Sequence, residues 1–72
     1  MSRSKIYQVV GENIHTTRRR ARLSQEQLAE KADLTTNYIG EIERAEKKIT
    51  LETLERIAGV LGVRIRDLVG EL

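Results

Sequence analysis

The stretch LSQEQLAEKADLTTNYIGEIER, residues 23–44, decides the fold. Ser24 caps the turn that follows it, and Gln27, three residues on, reaches back to complete a capping box. Leu28, Ala29 and Ala32 then line a short apolar face. The segment Ala32-Asp33-Leu34-Thr35 breaks that period, and Thr35 supplies a second N-cap. From the helix it opens, Ile39 and Ile42 point inward. Two helices of about two turns each therefore lie three or four residues apart.

Outward from this pair the helical pattern continues on both sides. Ile6, Val10, Ile14, Thr17 and Ala21 step by four, four, three and four, the stripe of one helix from Ile6 to about Arg22. Thr50 caps a fourth helix with Leu51, Leu54, Ile57, Ala58 and Leu61 on one side, and Gly62 ends it. A short fifth segment carries Ile65, Leu68, Val69 and Leu72 on one face. Nowhere do β-branched residues alternate over a useful length, so the chain predicts no strand. The expected fold is all-α, a compact five-helix domain over residues 1–72.

Seventy-two residues suffice for one small core and no more. The chain has no Cys and a single His, so disulfides and the common structural zinc sites are excluded as staples. A Cys-free chain fits a reducing cytoplasm. No apolar run approaches the roughly 20 residues of a membrane span. The net charge of +2 is unremarkable, but its distribution is uneven. Residues 1–24 hold six bases against one acid, and residues 25–72 hold seven bases against ten acids. A basic segment of this kind fits an anionic partner, nucleic acid first and a membrane surface second, or simply a solvated helix face.

Two short helices in tight succession have the geometry of a helix-turn-helix, whose second helix enters the DNA major groove; an ordinary αα-hairpin is spaced alike. More specific are three runs taken together. These are Arg18 with Leu23-Ser24-Gln25 and Leu28-Ala29; Tyr38-Ile39 with Ile42-Glu43-Arg44; and Leu51, Leu54, Ile57-Ala58 with Leu61-Gly62-Val63. Over about residues 9–70 this pattern resembles the phage-repressor (Cro/CI-type) helix-turn-helix family. Residues 38–44, followed by Ile49-Thr50-Leu51, are similar to the controller regulators of restriction–modification systems within it. The resemblance implies a lambda-repressor-like domain with its helix-turn-helix at about 24–45. Three positions depart from the family pattern. Asp33 stands where a turn Gly is usual, and Asp tolerates the left-handed conformation better than most residues. Ala45 stands where Gly usually follows the recognition helix, so a positive φ there has a modest cost. Arg64 stands where a cap is expected, which leaves the start of the fifth helix unsupported.

At about 100° per residue, Asn37, Glu41 and Arg44 lie roughly 140–200° from Ile39, opposite the buried face. With Thr36 they form the expected base-reading edge. Asn pairs in two-point fashion with adenine, Arg with guanine, and Glu41 accepts from cytosine N4 while repelling phosphate. Gln25 opens the second helix, where its amide and the unpaired backbone N–H groups suit a phosphate. Tyr38 either reaches a phosphate with its hydroxyl or packs on the hairpin. Lys47 and Lys48 in the following loop, with Arg19 and Arg22 from the first helix, are the remaining phosphate candidates. Gly40, inside a helix, reflects either close approach of DNA or the second helix, or simple tolerance.

Arg18 borders the apolar stripe, and the resemblance pairs it with Glu43 in a largely buried, structural ion pair. His15 has no second His or Cys to form a metal site and is expected on the surface. Val60, Val63, Ile65, Leu68, Val69 and Leu72 exceed what a small core needs, so part of the 60–72 region is a candidate dimer surface.

These readings converge on a sequence-specific regulator of double-stranded DNA, acting as a homodimer on a palindromic operator without a cofactor. Repression follows where the operator overlaps a promoter. Activation follows where the Glu41 side or the first helix touches RNA polymerase. The competing reading is a protein-interaction module such as an antitoxin component. An enzyme is not expected, because no nucleophile–base pair, metal cluster or Gly-rich phosphate loop is in the sequence.

Overall fold

The computed structural model describes residues 5–70. Five helices follow one another, α1 (Lys5–Arg20), α2 (Gln25–Ala32), α3 (Thr36–Glu43), α4 (Leu51–Leu61) and α5 (Ile65–Val69). The described residues contain no strand.

Each short helix is delimited by its own sequence. Ser24 Oγ accepts from the Gln27 amide at 3.0 Å while Gln27 Oε1 accepts from the Ser24 amide at 2.8 Å, closing the capping box of α2. Thr35 and Thr50 cap α3 and α4 through the amides of Tyr38 and Thr53, each at 3.1 Å. Helix α2 stops at Asp33, whose φ of 60° is left-handed, and Ala45 after α3 also has φ 60°. The Glu46 amide then reaches back to the Glu41 carbonyl at 2.8 Å, so the left-handed residue still satisfies the end of α3. Arg22, not anticipated from the sequence, takes the same φ in the turn between α1 and α2. It ends α1 at Arg20, two residues earlier than expected. Helix α5 starts without an N-cap side chain. Instead the Asp67 carboxylate, in its first turn, accepts the Arg64 amide at 2.9 Å.

Ile14, Leu28, Ile39, Ile42, Ile57 and Leu68 are fully buried, one or two from every helix. Helix α1 lies across α3, α4 and α5, while α2 packs against α3 and α4. Two ends of the expected stripes fall outside this core. Ile6 is 47% exposed and Leu51 76% exposed, because each sits in the first turn of its helix, before the helix meets its neighbours. Ala21 is exposed as well, since α1 has already ended. Asn13 closes the opposite end of the bundle by donating from Nδ2 to the carbonyls of Leu68 (2.9 Å) and Gly70 (3.1 Å), which end α5 without helical partners.

Candidate nucleic-acid interface

Helix α3 presents two unlike sides. Ile39 and Ile42 are buried, whereas Thr36, Asn37 and Arg44 are exposed and Glu41 is half-exposed. Arg44 is the C-cap residue, just beyond the last turn of α3. Its Nε and Nη2 donate to Glu46 at 2.9 and 3.1 Å. Lys47 and Lys48 are exposed in the loop that follows, as are Arg19 and Arg22 near the end of α1. Arg18, Arg19 and Arg20 occupy the last turn of α1, where cations also complement the helix dipole. The described residues hold no group of His, Cys, Asp or Glu suited to a metal ion.

Glu43, at the end of α3, is the hub that fixes the helix to the rest of the bundle. Arg18 Nε donates to its Oε2 at 2.7 Å, with the two side chains only 9% and 4% exposed. Arg18 Nη2 reaches Oε1 at 3.2 Å, and Nη1 donates to the Leu23 carbonyl at 2.8 Å. Gln25 Nε2 donates to Oε1 at 3.0 Å, and His15 Nδ1 lies 2.9 Å from the same oxygen. One carboxylate thereby ties α1, α2 and α3 together.

Burial works against the charged form of Glu43, but the hydrogen bonds from Arg18, His15 and Gln25 outweigh it and hold the carboxyl below its ordinary value of 4.5. Its ionisation therefore contributes stability that is complete above pH 4.5 and is lost as pH falls through the lower folded value. Denaturant midpoints measured from pH 7 to pH 2.5 should decline below that point. The Glu43→Gln variant should lose this component of the acid dependence; an unchanged profile would show that Glu43 does not carry it.

Several expectations are corrected or extended. His15 is exposed as expected, but its Nδ1 also lies 2.9 Å from Glu43 Oε1, a contact its position did not suggest. The Gln25 amide is turned toward Glu43 rather than outward. Tyr38 is half-buried with its ring packed against the core, which both readings of this residue share. At Gly40 the nearest neighbours of a built Cβ are the atoms of the Arg44 guanidinium, for which the missing side chain leaves room. Leu68 leaves the candidate dimer surface, because a side chain with 0% exposure has nothing to offer a second copy. Val60, Val63, Ile65 and Val69 stay partly exposed at the core margin, and Leu72 lies outside the described residues.

Three structural contacts escaped sequence reasoning: Asn13 with the end of α5, Glu46 with Arg44, and Gly11 of α1 against the backbone at the end of α3. Asn13 and Glu46 carry no local signal. Gly11 carried one, a lone glycine inside a strong helical pattern.

Residues 14–68 match the Helix-turn-helix family. The chain is 45% identical over 62 residues to the immunity repressor protein of Bacillus phage phi105, covering 86% of this chain and 43% of that protein. The chain thus spans less than half of that repressor's length. It is 41% identical over 63 residues to control protein C.SmaI of Serratia marcescens, covering 88% of this chain and 75% of that protein. Among solved structures, the N-terminal DNA-binding domain of SinR from Bacillus subtilis superposes with a TM-score of 0.83 at 31% identity, covering 89% of this chain and 94% of that one. Capped α2 and α3, the outward edge of α3 and these likenesses agree: the chain belongs to the phage-repressor-like helix-turn-helix family.

Proposed function

We propose that this chain is a sequence-specific transcriptional regulator that binds double-stranded DNA as a homodimer on a palindromic operator. The observation that carries the reading is the exposed Asn37–Glu41–Arg44 edge of α3, anchored from behind by buried Ile39 and Ile42. Thr36, Asn37, Glu41 and Arg44 read base edges. Lys47, Lys48, Arg19 and Arg22 hold phosphates, and the first amides of α2, beside Gln25, receive one more. Arg18 and Glu43 orient α3 without touching DNA. A single helix reads too few base pairs for useful discrimination, so two copies pair through the partly exposed Val60, Val63, Ile65 and Val69. That spaces their recognition helices about 34 Å apart.

Selection from a random duplex library is the direct test. The expected winners are inverted repeats whose half-sites lie about one helical turn apart. Within them, Asn37→Ala and Arg44→Ala should each cost about 1–3 kcal/mol, confined to the base that each side chain reads. Lys47→Ala and Lys48→Ala should weaken all duplexes alike and lower the salt slope by about one each. No enriched sequence, together with salt-independent binding to a protein partner, would replace this reading with an interaction module. A monomer in sedimentation at micromolar concentration would remove the dimer.

A further inference from the structure

The Arg44 guanidinium has two edges that can make paired hydrogen bonds; one is bonded within the chain and the other lies against it. The Nε–Nη2 edge is spent on Glu46, at 2.9 and 3.1 Å. The other edge is turned onto α3 one turn back. A Cβ built on Gly40 would lie 3.0 Å from Nη1 and 3.7 Å from both Nη2 and Cζ, so the two terminal nitrogens face the bare backbone there. Guanine recognition requires one of these edges to present two N–H groups to O6 and N7. In this pose neither does.

We propose that Glu46 is a positioning residue that latches Arg44 in a folded-back pose, with Gly40 as its seat, and so taxes reading of the matching base. The inference rests on the assignment of Arg44 to base reading. A guanine in the right place offers two acceptors in exchange for the Glu46 carboxylate, and other bases offer no such pair. Release is therefore favoured on the matching sequence and not on random duplex. Because the ion pair is exposed, with the Arg44 and Glu46 side chains 56% and 40% accessible, the latch is weak enough for DNA to open.

The test is a double-mutant cycle on the selected operator, using wild type, Glu46→Gln, Arg44→Ala and the double variant. Removing an acid near DNA strengthens binding by itself, and the Arg44→Ala background measures that part alone. The expected result is that Glu46→Gln improves operator affinity about two- to fivefold more with Arg44 present than in the Arg44→Ala background, as for an exposed ion pair. Operators altered at the Arg44-read base should gain less, because the latch stays closed on them, so that discrimination at that base rises. Equal gains in both backgrounds would reduce Glu46 to a repelling charge and overturn the latch. A loss of affinity confined to the chain that retains Arg44 would overturn it too, by showing that Glu46 holds the reading pose. If wild type selects no operator, the base-reading assignment itself fails and the latch falls with it, a result distinct from either outcome of the cycle.

Discussion

Glu43→Ala should destabilise the domain by about 3–5 kcal/mol, the usual consequence of removing one partner from a buried ion pair. Arg18 remains 8% exposed, with the Leu23 carbonyl and the neighbouring His15 Nδ1 in place of a carboxylate. Its Nε is left facing a hole. His15 and Gln25 lose the acceptor they share, although both reach solvent more easily. A chain of this length has about 4–11 kcal/mol of stability in all, so the variant stands at the edge of folding. Thermal melting should fall by about 12 °C or more, at the conversion usual for small domains. The double variant Arg18→Met/Glu43→Leu should recover much of the loss, because it removes the stranded charge along with its partner. Wild-type melting of Glu43→Ala would refute the idea that this carboxylate balances Arg18. Recovery in the double variant with poor operator binding would show what the pair is for, namely the orientation of α3 and not the stability of the fold.

What could be read from the sequence and what could not divides along sequence separation. Ser24, Thr35 and Thr50 act on amides three residues away, so their roles are written in adjacent letters. The inward positions Ile39, Ile42, Leu54 and Ile57 follow from helical period alone. So does the outward edge of α3. By contrast, Asn13 serves carbonyls 55 and 57 residues distant, and His15 meets Glu43 across 28. No periodicity announces such contacts. The pairing of Arg18 with Glu43 came from family likeness, not from spacing. Helical period also says which side a residue occupies but not whether a neighbour lies alongside, which is why Ile6 and Leu51 were placed on buried stripes and emerged exposed. Gln25 was misread for a related reason. Its helix-opening position was visible, but the acceptor supplied by α3 was not.

Gly11→Ala should also destabilise, although alanine is intrinsically the better helix residue by about 1 kcal/mol. A Cβ at this position in α1 would come within 2.6 Å of the Ile42 carbonyl oxygen and 2.7 Å of that of Glu43. Both are backbone atoms, and the Ile42 carbonyl already accepts the Ala45 amide that finishes α3. Neither can swing aside as a side-chain tip would, so α1 and the end of α3 must separate. Overpacking of this kind costs about 1–3 kcal/mol, sometimes more, and outweighs the helical gain. The same separation stretches the 2.7 Å contact of Arg18 with Glu43, so the two lesions share a cause. Gly11→Ala and Glu43→Ala should therefore combine to less than the sum of their separate effects. Gly59 in α4 supplies the control, because a Cβ there meets nothing within 4 Å. Gly59→Ala should raise the denaturation midpoint while Gly11→Ala lowers it and weakens operator binding. Were the two substitutions to stabilise alike, the backbone contact between α1 and α3 would have no part in setting the recognition helix.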